Sequence, residues 1–305
     1  MSDRPSQTDS EIETGEKPEA PAEPTETAAQ GEPTPEPPAR PWLPSPPQVR
    51  GYEDIQAIAE AAAKRFLDTA KRAVEKSDRF IVVLAGGSTP ATLYRRLTES
   101  PYREKVPWRK TLFVFSDERC VPPDDEASNY RMARETLFKP LEIPEHHALR
   151  MKGEQVPAEA ARRYGVRLGD LFLNQPRRHF DLALLGIGAD GHTASLFPGT
   201  EALDEKERWV VANQVPQLDT WRLTLTFRAL NSARRVIFLA TGEEKAQVIA
   251  EAFCGVPHEA PHPCERVAPL HARREVLIDH AAASRVPHEE KDPEKTKGGD
   301  AGKDE

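Results

Sequence analysis

The run DLALLGIGADGHTASLFPG, residues 181–199, constrains this chain more than any other stretch. Residues 182–185 are uninterruptedly apolar, the pattern of a short strand buried on both faces, and such strands belong to parallel sheets covered by helices. The strand breaks at Gly186 and Gly188, turns through Asp190 and Gly191, and presents His192, Thr193 and Ser195. A carboxylate and an imidazole carried on the loop beyond a buried strand mark the ligand edge of an open α/β sheet. Two readings of the turn stand side by side. Gly186-x-Gly188-x-x-Gly191 matches a dinucleotide fingerprint, although Pro198 and Gly199 arrive too soon for the long helix that fingerprint needs. The other reading is a structural turn whose histidine is bonded internally.

Only part of the 305 residues has the composition of a fold. Residues 1–50 hold twelve prolines and ten acidic residues against four basic ones, with almost nothing apolar before Trp42. Such a segment cannot bury enough surface to offset its chain entropy. The last twenty residues, with seven acidic and four basic side chains, read the same way. We therefore expect disordered tails at 1–48 and 286–305 around one domain at 49–285. The overall charge of −8 lies in the tails, which leaves residues 51–285 at +1. A near-neutral domain lacks the basic stripe of a nucleic-acid binder. No apolar run approaches the roughly 20 residues needed to span a bilayer, and the N-terminus has no apolar signal region. Three scattered cysteines make no disulfide framework. These features predict a cytoplasmic protein without membrane or nucleic-acid partners.

The rest of the chain alternates helical and strand patterns. Ile55, Ile58, Ala59, Ala62, Phe66, Ala70 and Val74 recur at helical spacing across 52–74. FIVVL at 80–84 is a second fully apolar strand, and it runs into AGGSTP. There Thr89 reads as an N-cap and Pro90 as the first helical residue. Glycines before a helix start allow close backbone approach to an anion, which free N–H groups and the helix dipole favour. Gly86, Gly87, Ser88 and Thr89 thus form a phosphate cradle or a plain strand-to-helix turn. A strand at 111–115 ends in Ser116, Asp117, Glu118 and Arg119. The planar fork of Arg119 suits a phosphate, or equally a carboxylate closing the loop. Ser128 and Asn129 open a helix through 138, and 158–173 reads as another, with Tyr164, Leu168, Leu171 and Phe172 inward. Strands follow at 209–212, 223–227 (with Arg222 at its head), 236–239 and 275–279. A helix runs over 243–253 with Lys245 in its first turn, where a cation opposes the dipole unless an anion lies nearby; Glu243 and Glu244 already complement that dipole, so a solvated lysine is an equal alternative. These elements predict an α/β fold: an open, mostly parallel, doubly wound sheet with helices on both faces and additional strands in the C-terminal half.

Cys254, His258, His262 and Cys264 are residue types that bind zinc. Three intervening prolines and a one-residue final spacing fit finger patterns poorly, so this segment reads as a surface loop without metal.

Five segments in this order resemble the short, deaminase-like 6-phosphogluconolactonases: AGGSTP (85–90), SDERCVPPDDEASNYRMARETL (116–137), LLGIGADGHTASLFPG (184–199), RLTLTF (222–227) and ATGEEKAQVI (240–249). The resemblance spans about 50–283. It implies hydrolysis of 6-phospho-D-glucono-1,5-lactone in the oxidative pentose phosphate pathway. It also implies that Arg119, Lys245 and the backbone of 86–89 hold the phosphate, and that His192 acts as general base on a water. Imidazole is the one side-chain type in these motifs whose ordinary pKa lies near neutrality. Asp190 would orient the ring or raise its pKa, or else simply cap the turn; N–H groups of the glycine turn would meet the oxyanion, and Asp117, Asn129 and Arg222 would contact sugar hydroxyls or the anion. No metal or organic cofactor is expected, because a lactone is already an activated ester. The related glucosamine-6-phosphate deaminases carry Asn-Glu-Pro after the Asp-Gly-His turn, where this chain has Leu196, Phe197 and Pro198. A phenylalanine cannot move a proton, which disfavours deaminase chemistry. A non-catalytic sugar-phosphate sensor of the same fold is a further alternative, but such sensors usually carry a DNA-binding helix pair that the acidic head does not offer. Where family members usually have an aromatic in the last strand, this chain has Val276, Leu277 and Ile278.

Overall fold

The computed structural model describes residues 46–173, 179–270 and 272–287. Apart from 46–48 and 286–287, both expected tails lie outside the described residues. Chain order runs β1 (Gln48–Tyr52), α1 (Ile55–Ser77), β2 (Phe80–Leu84), α2 (Ser88–Leu97), α3 (Tyr102–Lys105), β3 (Thr111–Phe115), β4 (Asp117–Arg119) and α4 (Asn129–Ala133). Then come β5 (Ala148–Leu149), α5 (Pro157–Leu171), β6 (Leu182–Gly186), β7 (Val210–Val215), β8 (Thr220–Leu225), α6 (Phe227–Leu230), β9 (Arg235–Ala240), α7 (Ala246–Cys254) and β10 (Arg273–Asp279).

Seven strands form one wholly parallel sheet in the order β1-β10-β9-β6-β2-β3-β5. Its central strands are buried on both faces, as their unbroken apolar runs require. Alternate residues feed two cores. Phe80, Val82, Leu84, Leu182 and Leu184 pack with Phe66 of α1 and Tyr94 of α2, while Ile81, Val83, Ala183 and Leu185 pack with Tyr164 and Leu168 of α5. Each such buried side chain contributes about 1.5–3 kcal/mol. The additional C-terminal strands make a separate antiparallel sheet, β4-β8-β7. It recruits 117–119, which the sequence pattern presents only as a polar strand end.

Several local expectations shift. α2 starts at Ser88 with Gly87 as its N-cap at φ 102°, so Thr89 is no cap and Pro90 stands third in the helix, still within the first turn where its missing N–H costs nothing. Ser128 does cap α4, accepting from Arg131 N–H at 3.1 Å, but after Ala133 the helix widens into a π turn over Arg134–Phe138. Leu171 is only partly buried, whereas Tyr164, Leu168 and Phe172 are fully inward. β8 ends at Leu225 because Thr226 N-caps α6. The helix expected from 243 opens with a 3-10 turn, Glu243–Lys245, before α7. The edge strands β1 and β5 are short or polar and have no sequence signal of their own. Among the described residues, no helix is long and apolar enough to cross a membrane.

One buried charge anchors the β10 side of the sheet. Glu275 is fully buried and receives Arg65 Nε at 2.8 Å and Arg235 Nε at 3.1 Å, with Arg50 Nε at 3.6 Å. Burial alone would raise its pKa, but the arginine hydrogen bonds outweigh it and hold the carboxyl below its ordinary 4.5. A depressed folded pKa means that this contribution to stability is complete above about pH 4.5 and is lost as pH falls through the folded value. Replacing Glu275 with Gln leaves the partly buried guanidinium groups of Arg65 and Arg235 unneutralised. We expect a loss of about 3 kcal/mol or more in urea unfolding at pH 7, and a flatter stability profile below pH 4.5 than in the unmodified protein.

Candidate active site

β2 and β6 are neighbours, yet the chain leaves β2 for β3 on one side and β6 for β9 on the other. Carboxyl ends of strands at such a switch point open a crevice. The glycine loop after β2 and the glycine turn after β6 both line a cleft of about 640 Å³ there. All eleven residues singled out from the sequence line it: Gly86, Gly87, Ser88, Thr89, Asp117, Arg119, Asn129, Asp190, His192, Arg222 and Lys245. A larger cleft of about 1000 Å³ lies between α5 and β7, but its lining holds no imidazole, thiol, aspartate or lysine. It therefore offers little acid–base chemistry.

The glycine turn is built to carry an imidazole. Asp190 Oδ1 lies 2.6 Å from His192 Nδ1 and also accepts the His192 backbone N–H at 3.1 Å. With Nδ1–H donated to Asp190, the neutral ring keeps Nε2 as an acceptor. Burial would raise the Asp190 pKa, but the His192 hydrogen bond prevails and keeps the carboxyl below its ordinary value. The Phe197 ring lies against the imidazole, with centroids 4.1 Å apart and planes at 26°. A Cβ at Gly188 would sit 2.0 Å from His192 Nδ1 and 2.6 Å from Asp190 Oδ1, so only glycine lets the pair rest on this backbone. Gly188 N–H donates to the His192 carbonyl and Gly191 N–H to the Gly188 carbonyl. These two N–H groups close the turn on itself and are not available to an oxyanion, which corrects part of the role expected of the turn. A dinucleotide site is also excluded, because an isolated Thr193–Leu196 bridge follows Gly191 in place of a helix.

Positive charge gathers on other walls of the cleft. Gly87 at φ 102° provides no side-chain cap, so α2 begins with uncapped N–H groups at the cleft. Buried Tyr94 pins the loop, its hydroxyl donating to Ala85 O at 2.8 Å and accepting from Ala85 N at 3.0 Å. Arg119 on β4 and Arg222 on β8 are register partners. Burial, and then the Arg119 charge, pull the Arg222 pKa down. Among the described residues neither arginine has a carboxylate at ion-pair distance, so the alternative of an Arg119–carboxylate closure does not hold. Arg119 Nη1 instead donates to Ala127 O at 2.5 Å. Lys245 completes the set, its nearest carboxylate being Glu244 at 3.9 Å.

Supporting residues that the sequence pattern does not reveal hold these groups in position. Buried Glu118 accepts N–H bonds from Asn129 at 2.7 Å and Tyr130 at 2.8 Å, which fixes the start of α4. Asn129 Nδ2 donates to Asp117 O at 2.9 Å, and Asn129 Oδ1 is buried against Gly86 with no hydrogen-bond partner among the described residues. Ser195 Oγ donates to Asp117 Oδ2 at 2.7 Å, tying the two sides of the cleft together. The Asp279 carboxylate accepts Gly242 N–H at 3.1 Å and Ala282 N–H at 2.8 Å, holding the turn that carries Lys245. The one visible clue to Asp279 is its position at a strand's carboxyl end.

A family model described as glucosamine-6-phosphate isomerases/6-phosphogluconolactonase matches residues 53–277. The chain belongs to this family. Within it, the 6-phosphogluconolactonase of Haemophilus influenzae is 33% identical over 225 residues, which cover 70% of this chain and 95% of that protein. The 6-phosphogluconolactonase of Chlamydia trachomatis is 36% identical over 217 residues, covering 69% and 77%. The solved structure of 6-phosphogluconolactonase from Trypanosoma cruzi matches with a TM-score of 0.71 at 30% identity, over 79% of this chain and 97% of that one. The family's open parallel sheet is therefore the fold of this chain.

Gly188→Ala tests whether the turn seats the His192–Asp190 pair. The added Cβ has to push both side chains aside, so we expect turnover to fall by about 100-fold or more, with unchanged far-ultraviolet circular dichroism.

Proposed function

We propose that this protein hydrolyses 6-phospho-D-glucono-1,5-lactone to 6-phosphogluconate, in the oxidative branch of the pentose phosphate pathway, through the domain at 49–285. The observation that carries this reading is the shared cleft: a carboxylate-oriented imidazole faces the same space as two arginines that, among the described residues, have no carboxylate at ion-pair distance, a lysine and an uncapped helix start. Several relatives within the family bear the name 6-phosphogluconolactonase, which agrees with it.

A phosphate dianion suits that electrostatic arrangement. It relieves the repulsion between Arg119 and Arg222 and accepts from the N–H groups of Ser88 and Thr89. With the 6-phosphate held, the lactone ring extends toward the glycine turn. His192 Nε2 takes a proton from a water as the oxygen attacks C1, and Asp190 stabilises the resulting imidazolium. Collapse of the tetrahedral intermediate breaks the bond between C1 and the ring oxygen, and the imidazolium returns its proton there. Asn129 holds Asp117 and the glycine loop in register, and Asp117 orients Ser195 and a sugar hydroxyl alongside it.

The deaminase alternative needs a proton-transferring carboxylate one turn beyond the histidine. This chain has Phe197 there, with its ring stacked on His192. Incubation with glucosamine 6-phosphate is expected to release no ammonia.

The decisive measurement is lactonase activity on freshly generated lactone with spontaneous hydrolysis subtracted. His192→Ala is expected to lower kcat by about 100- to 10,000-fold with a modest change in KM. Arg119→Ala is expected to raise KM about tenfold or more, the loss of a charge-assisted phosphate contact. Wild-type turnover in the histidine variant would remove His192 from the mechanism, and absence of any lactonase activity in the unmodified protein would overturn the reading.

A further inference from the structure

Between α7 and β10 the chain folds into a loop against the back of the catalytic turn. Cys264 N–H donates to Gly191 O at 3.0 Å. A Cβ on Gly191 would lie 2.6 Å from His262 Nδ1, so this ring rests on the residue between Asp190 and His192. The four zinc-type residues seen in the sequence do not assemble. Cys264 is fully buried, with burial pushing its thiol up to about 12, and Cys254 is partly buried in the last turn of α7. Carboxylates stand where the thiols would have been. Glu265 Oε1 lies 2.9 Å from His258 Nε2 and accepts His262 N–H at 2.7 Å. Glu251 Oε2 lies 2.7 Å from His262 Nε2. The two imidazoles stack with centroids 5.1 Å apart and planes at 19°. One donor atom from each of His258, His262 and Glu265 lies within 4.8 Å of the other two.

The hydrogen bonds of His258 fix the orientation of its ring. Its Nδ1 is 3.2 Å from Val256 O, a carbonyl that can only accept, so Nδ1 carries a hydrogen. Nε2 of a neutral ring then turns its lone pair toward Glu265, which is also an acceptor. Nε2 and the Glu265 carboxylate thus converge on one position, which the His262 ring also approaches. An imidazole that donates one nitrogen to a backbone carbonyl and offers the other to a ligand position is the usual arrangement of metal-bound histidine.

We propose that His258, His262 and Glu265 bind a divalent transition metal ion, zinc by ligand type, with Glu251 orienting His262. Two imidazoles and a carboxylate match the donors of three-ligand zinc sites, which leave a fourth position for water. Bonds of about 2.0–2.2 Å place donors roughly 3.4 Å apart, so these partly exposed side chains have to close by about 1 Å. The ion takes no part in lactone hydrolysis. It clamps the loop carrying His262 and Cys264 onto Gly191 and so braces the turn that holds Asp190 and His192.

Full-length protein, stripped with a chelator and exchanged into metal-free buffer, is titrated with zinc chloride by calorimetry, with Tm measured in parallel. The expected result is one zinc ion per chain and a higher Tm. His258→Ala and, separately, Glu265→Gln are expected to weaken binding at least about tenfold and to abolish the Tm gain, while His192→Asn retains both. The proposal is overturned by any one of three outcomes: no stoichiometric binding at micromolar zinc, binding unchanged in both loop variants, or loss of binding in the His192 variant, which would assign the ion to the catalytic cleft.

Discussion

The hydrogen bonds joining β2 to β6 place two double-sided apolar strands edge to edge, with Val82 opposite Leu182 and Val83 opposite Ala183. Neither strand can face water on either side, so helices and the antiparallel sheet must cover both faces. Within the sheet the chain departs from the two strands in opposite directions, which opens a crevice at their carboxyl ends. The cleft is a consequence of that connectivity. Four of the segments that line it are held by internal anchors: Tyr94 on the loop after β2, Glu118 on the start of α4, partly buried Asp279 on the turn after β9, and the Ser195–Asp117 bond between β4 and the turn after β6. Tyr94 belongs to the core that packs α1 and α2 on the sheet, so at the glycine loop stability and site geometry share a physical origin.

Charge is handled in opposite ways at two places in the molecule. Around Glu275 the chain surrounds one buried carboxylate with arginines and satisfies it fully. In the cleft it sets Arg119 and Arg222 side by side at adjoining positions of two strands, and among the described residues no carboxylate stands at ion-pair distance from either, Asp117 and Glu118 acting on Arg222 only from farther off. Holding like charges together in a partly buried place costs stability, and a dianionic ligand recovers that cost on binding. The glycines follow a similar logic. Gly188 and Gly86 are required because the His192–Asp190 pair and the Asn129 amide occupy the space a Cβ would need.

Much of the fold is legible in the residues themselves. The runs 80–84, 182–185 and 236–239 have too many consecutive apolar side chains to face water on either side, and the helical face of α1 repeats at a clear period. Misplaced boundaries have local causes. Gly87 takes over as N-cap because its positive φ lets the chain enter the helix two residues earlier than Thr89 would. The strand at 117–119 is hidden because Asp117, Glu118 and Arg119 are poor strand formers, and their pairing with β8 is purely tertiary. The site residues are visible as types, polar and glycine-rich segments at strand ends, and all of them reach one cleft. Their supporting contacts are not, because Ser195 meets Asp117 across 78 positions and Gly242 meets Asp279 across 37.

What the sequence determined by itself is the class of fold and the chemical inventory of the site. Apolar periodicity and glycine placement act over a few residues, and each segment expresses them wherever it lies. Which of those segments face one another was decided only in three dimensions. The histidines at 258 and 262 look in sequence like partners of two cysteines, but burial withdraws Cys264, and Glu265 and Glu251 take up the imidazoles. Side-chain partnership depends on distance and solvent access after the chain has packed, and neither quantity is written in the order of the residues.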